Sequence, residues 1–167
     1  AREVVVKIPA LGKYSETWPV NCPKSDKIVR NMADFLDRTD KAGYGAALFL
    51  MSTGEEKDLE VVKRWYHNKL DDKVSGYPWD IGYQGVPVCE YYLRTGDESV
   101  LPHIKAKTEQ LKKTIYNGGW MGRGGCSYSY MAGGHLNAAG LHCVTFLLLA
   151  KECGVDIAYC PSAEAMY

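Results

Sequence analysis

Residues 48–56 read LFLMSTGEE, and residues 90–98 read EYYLRTGDE, 42 positions further on. In both, an apolar run gives way to Thr, then Gly, then two acidic residues. That is the order expected where a buried helix stops on a glycine and a new helix opens with carboxylates in its first turn. The stretch TFLLLAKECG at 145–154 echoes it a third time. A period of about 40 residues made of helix pairs marks stacked α-hairpins.

Working outward, the segments between these stops alternate in character. The first helix begins at CPKSD, with Pro23 in its first turn and Asn21 or Cys22 as cap. Ile28, Met32, Phe35 and Leu36 keep helical spacing on it and predict one buried stripe. The second helix, from Tyr44, is apolar nearly all round and is expected to be buried on every side. The third, 56–70, is amphipathic, with Leu59, Val62, Trp65 and Tyr66 on one face. The fourth, 81–95, is apolar again. The fifth, 99–116, carries Ile104, Thr108, Leu111 and Ile115 on one stripe. The sixth, 136–152, is apolar all round, and the tail after Pro161 reads as the first turn of an unfinished helix.

The expected fold is therefore all-α, built of α-hairpin repeats at about 23–53, 56–95 and 99–153 within one domain at 23–167. Residues 1–22 form an N-terminal segment and linker. Within it EVVVKI at 3–8 reads as a short β-strand, a link from a preceding module or an edge for a later loop.

Bulk composition narrows the function classes. The chain has 167 residues, with 20 Lys and Arg against 20 Asp and Glu. Zero net charge supplies no broad positive field for nucleic acid. No run of 18 apolar residues is present, so no membrane span is expected. Tyr occurs 12 times against 4 Trp and 3 Phe, which suits a lined groove and equally a core whose hydroxyls reach its rim. The six cysteines show no CxxC pair and no zinc spacing, so neither a metal nor a cofactor is implied. Cys89, Cys143 and Cys153 fall on helices expected to be buried, where a thiol acts as a small hydrophobe. Compartment is not fixed by this count. A removed leader would make it extracytoplasmic.

The inner helices of such a stack run parallel, so their N-termini share one rim. Gly43-Tyr44-Gly45, the stretch Trp79 to Gly85, and Gly133 to Asn137 all open inner helices. Free N–H groups and the positive dipole end make that rim the natural mouth for an anionic or hydroxyl-rich ligand. The candidate binding residues are Tyr44, Trp79, Tyr83, Trp120, Arg123, His135, Asn137 and His142. His135 and His142 lie seven apart, roughly 10 Å along a helix, too far to share one zinc. The plainer reading of His142 is an ordinary interior or interface histidine, and of the tryptophans, fillers of helix joints, while His135 beside the loop reads equally either way. Asp80, Glu90 and His135 are the candidate acid or base groups. For Asp80 the plainer alternative is an N-cap of the fourth helix, and for Glu90 an ion pair with a neighbour. The glycines at 119–125 follow no strand, so a dinucleotide site is not supported, and Cys126 has no fixed partner in sequence.

Inner apolar helices alternating with outer amphipathic ones, with Gly-Gly-Trp between them, resemble the α/α-toroid folds. Those include terpenoid cyclases, protein prenyltransferase β subunits and several polysaccharide-cleaving enzymes. More narrowly, GKYSETWPVNCPKSDKI, TGDESVLPHIK and GHLNAAGLHCVTFLLLAKECGV are similar to an uncharacterised bacterial family, mainly planctomycete. In that family a PDZ-type domain precedes such helical repeats, which implies a fold and no activity. The departures are specific. There is no DxDD or DDxxD motif and no Asp-x-Cys, and Thr114 stands where the cyclase repeat Gln-x3-Gly-x-Trp places its Gln before Gly118 and Trp120. The toroid would be completed by further sequence or by a partner. Two functions follow: a binding or scaffold domain whose rim holds a glycan or peptide, and alternatively a hydrolase or lyase acting on a polysaccharide or similar polymer.

Overall fold

A computed structural model describes residues 23–39, 43–68, 73–116, 119–120 and 137–158, and side chains at 25–39, 43–68, 73–114 and 140–158. The expected strand at 3–8, the loop 121–136 and the tail from 159 lie outside the described residues. The elements run α1 (Pro23–Asp37), α2 (Tyr44–Ser52), α3 (Glu56–His67), α4 (Pro78–Thr95), a 3-10 turn (Glu98–Val100), α5 (Leu101–Lys112), β1 (Ile115–Tyr116), β2 (Gly119–Trp120) and α6 (Asn137–Glu152). All six expected helices are present. The two short strands pair antiparallel, Ile115 with Trp120, where the fifth helix had been expected to continue.

The three helix stops share one construction. Gly54, Gly96 and Gly154 take positive φ of 72°, 67° and 79°, a conformation that favours glycine. Thr53 and Thr95 each donate their hydroxyl to a carbonyl one turn back and accept the amide of Glu55 and Asp97. The third copy substitutes Cys153 for Thr, and Val155 N–H closes the turn onto Ala150 O at 2.9 Å.

The inner helices α2, α4 and α6 pack side by side in the same direction. At their starts Tyr44 touches Tyr83 and His142. Toward their ends Arg94 donates to Met51 O, and Cys153 Sγ–H to Cys89 O. The α4–α6 seam is the most extensive. It is close because α4 carries glycine there: a Cβ on Gly82 would lie 2.9 Å from the His142 carbonyl carbon, and one on Gly85 would clash with the Phe146 ring. The core gathers Leu50, Val62, Trp65, Ile81, Val88, Tyr91, Ile104, Leu111 and Phe146. Burying such side chains contributes about 1.5–3 kcal/mol each and drives the packing.

Among the outer helices, α1 and α3 run alongside in one direction. Arg30, midway along α1, meets the buried Asp58 near the start of α3 at 2.6 Å, and Arg64 meets Asp37 at 3.1 Å near their ends. Trp65 Nε1–H donates to Thr39 O, pinning the loop that leads toward α2.

Burial departs from expectation at both flanks. Ile28, Met32 and Phe35 of α1 are 58%, 48% and 57% exposed, because α1 rests on α3 through the other face, at Arg30, Ala33 and Asp37. Likewise α6 is not buried all round: Leu141 and Leu148 are 67% and 58% exposed, since only its Cys143, Phe146 and Ala150 side is covered. The middle inner helix, α4, has a neighbour on each flank and is the most buried of the three, with Ile81, Val86, Val88, Cys89 and Tyr91 enclosed, although Leu93 near its end is 45% exposed. On the other flank, α2 keeps its large apolar side chains covered: Leu50 and Met51 are buried, and Tyr44, Leu48 and Phe49 are half-buried against the core.

Candidate ligand-binding rim

Four of the eight candidate binding residues have described side chains, and all four meet. Tyr83 and His142 stack with ring centroids 3.7 Å apart and planes 11° apart. Trp79 stacks on Tyr83 at 5.8 Å and 26°. Tyr44 sets its edge against both, at 4.9 Å from Tyr83 and 5.8 Å from His142. Three inner helices thus contribute to one cluster at their N-terminal ends, and every member is half-buried.

Local sequence explains the convergence. Trp79 and Tyr83 are four apart and share one face of α4. Pro78 opens that helix at its first position, three residues earlier than expected, which brings Trp79 into its first turn. Pro87, inside the helix, has no N–H to give back to the Tyr83 carbonyl. Gly82, beside Tyr83, lets the α6 backbone approach, and this seats the His142 ring on Tyr83. Neither α2 nor α4 has a side-chain cap: Gly43 and Tyr77 hold the N-cap positions without one. First-turn N–H groups at the rim are therefore left to other partners.

The acid–base candidates do not come together. Asp80 is not an N-cap. It lies in the first turn of α4, exposed, and accepts Ser75 Oγ–H at 3.2 Å. Glu90 is half-buried and pairs with Arg94 at 3.8 Å. Ten residues of one helix, roughly 15 Å, separate the two carboxylates. Trp120, Arg123, His135 and Asn137 have side chains outside the described residues, as do Cys22, Cys126 and Cys160. No group of three metal-ligating side chains occurs among the described residues.

A second polar cluster was not anticipated. His67 Nε2 lies 2.8 Å from Asp97 Oδ2 and 3.2 Å from Ser99 Oγ. Tyr91 OH donates to Asp97 Oδ2 at 2.8 Å, and Ser99 Oγ–H to Asp97 Oδ1 at 2.6 Å. With the Ser99 hydroxyl and backbone, His67 and Tyr91 all donating to it, the Asp97 carboxyl is held well below its usual range. The residue types match a serine hydrolase set, but the wiring does not. The Ser99 proton is committed to Asp97, and Asp97 and Ser99 share the same imidazole nitrogen, so no base faces the hydroxyl. The cluster clamps the end of α3 to the turn after α4, beside a cavity of about 270 Å³. Its sequence signal was the Asp-x-Ser after Gly96, a capping pattern in which Ser99 N–H is accepted by Asp97.

Fold and rim together define an all-α protein of helical-repeat type. A family model described as "Domain of unknown function (DUF6288)" matches residues 25–163, and the chain belongs to that family. No curated protein and no solved structure matches the chain. None of the described helices is long and apolar enough to cross a membrane.

Proposed function

We propose that this chain is a binding domain of an α/α-hairpin repeat, part of a toroid-like array, whose aromatic rim at the N-termini of α2, α4 and α6 takes a hydroxyl-rich glycan or a peptide. The observation that carries it is the meeting of Tyr44, Trp79, Tyr83 and His142 from three helices in one half-buried stack. Aromatic faces pack against the apolar side of a sugar ring or a peptide side chain. Uncapped helix starts supply N–H donors to hydroxyl or carbonyl oxygens. Asp80 in the first turn of α4 opposes a strongly anionic ligand, which favours a neutral glycan over a phosphate. The two half-covered flanks suit an array continued by a further hairpin, from a longer chain or a partner.

The alternative, a polysaccharide hydrolase or lyase working through Asp80, Glu90 and His135, has less support, because the two described carboxylates lie far apart. A glycan and peptide array probed with the protein, then with Trp79→Ala and Tyr83→Ala, tests the proposal. Binding lost in both variants supports it. An array without a hit, or hits indifferent to both substitutions, overturns it.

A further inference from the structure

Cys89 lies on α4 and Cys153 directly follows the last residue of α6, and the two are brought together there. Cys153 Sγ lies 3.9 Å from the carbonyl oxygen of Cys89, across 64 residues of chain. Neither is a surface group: Cys89 is fully buried and Cys153 is 6% exposed. The third buried thiol among the described residues is arranged differently. Cys143 Sγ lies 3.4 Å from Pro78 O, at the opposite end of the α4–α6 seam. At the corresponding helix stops of the first two repeats the residue before glycine is Thr53 or Thr95, whose hydroxyl binds a carbonyl of its own helix. Only in the third repeat is that residue a cysteine, and its sulfur meets the neighbouring inner helix.

From this contact we infer that Cys89 and Cys153 are a disulfide-forming pair, a covalent staple that locks the end of α6 onto α4 when the chain meets a small-molecule disulfide or a disulfide-carrying oxidoreductase. The reaction is thiol–disulfide exchange in two steps. The Cys153 thiolate attacks one sulfur of the external disulfide and expels one thiol, leaving a mixed disulfide on Cys153. The Cys89 thiolate then attacks Cys153 Sγ and expels the second thiol. Two protons leave with the two departing sulfurs, and the two electrons lost by the cysteine pair reduce the external disulfide. Burial pushes both thiols above their ordinary range, which slows attack from the closed fold. Exchange therefore proceeds during folding, or when the end of α6 frays open.

The test uses the whole chain. One sample is incubated folded with oxidised glutathione, and a second is refolded from urea in the same buffer. Both are acid-quenched, alkylated and digested without reductant. The expected product is a peptide joining Cys89 to Cys153 in at least the refolded sample, with Cys143 recovered alkylated. The midpoint of thermal unfolding should rise by roughly 10 °C and return on reduction. Cys153→Ala should abolish both the linked peptide and the shift. Recovery of Cys89 and Cys153 as free thiols in both samples would overturn the inference. So would their pairing with other cysteines.

Discussion

His142 lies face to face with Tyr83, 3.7 Å between ring centroids, although the two residues belong to different helices 59 positions apart in sequence. The contact depends on glycine. Gly82 and Gly85 leave α4 without side chains where α6 crosses it, and any Cβ there meets His142 or Phe146.

Gly85→Ala should therefore destabilise the protein by about 1–3 kcal/mol through overpacking against the Phe146 ring. Gly140→Ala is the matched control, since a Cβ there meets nothing within 4 Å. It should be neutral or stabilising by up to about 1 kcal/mol, because alanine favours helix. Urea midpoints for the two variants check this. Equal losses in both would contradict the packing described.

Tyr66 carries a buried hydroxyl that has no hydrogen-bond partner among the described residues, and burial pushes its phenol well above the ordinary range. Removing an unsatisfied buried group relieves a desolvation cost of about 1–3 kcal/mol. Tyr66→Phe should leave stability unchanged or raise it. Thermal melts decide it, and a drop of several degrees would show that the hydroxyl is needed.

Asp97 should make stability depend on acid. Its folded carboxyl is held below the unfolded value of about 3.9, so its contribution is present above that pH and is lost as pH falls below it. Asp97→Asn should cost about 1–3 kcal/mol at neutral pH, through lost charge-assisted hydrogen bonds. The gap to the unsubstituted protein should narrow below about pH 4. Chemical denaturation at a series of pH values checks the sign. A gap that stays constant into strong acid would contradict the clamp.

The repeat was legible because glycine stops are local: Thr-Gly-acidic at 53–55 and 95–97 forces the same turn wherever it occurs. Helix identity was legible for the same reason, through periodicity. Which face is buried was not, because that depends on which neighbours exist. Ile28, Met32 and Phe35 form a regular stripe, yet α1 is held by the opposite face through the Arg30–Asp58 pair. At the rim, parallel inner helices were enough to anticipate that Tyr44, Trp79, Tyr83 and His142 lie at one end. Their ring-on-ring contact was not legible, since it follows from the depth to which glycine lets α6 approach. The clamp around Asp97 was not legible either, because His67 lies 30 positions away from it in sequence.

The most direct test of the central claim is ligand binding at the aromatic rim. Affinity for the best glycan or peptide from an array would be measured by calorimetry for the protein, for Trp79→Ala and for Leu148→Ala, an exposed site on the far face of α6. We expect Trp79→Ala to weaken binding at least tenfold, about 1.4 kcal/mol, with Leu148→Ala unchanged. Equal affinity for the protein and Trp79→Ala would contradict a rim site.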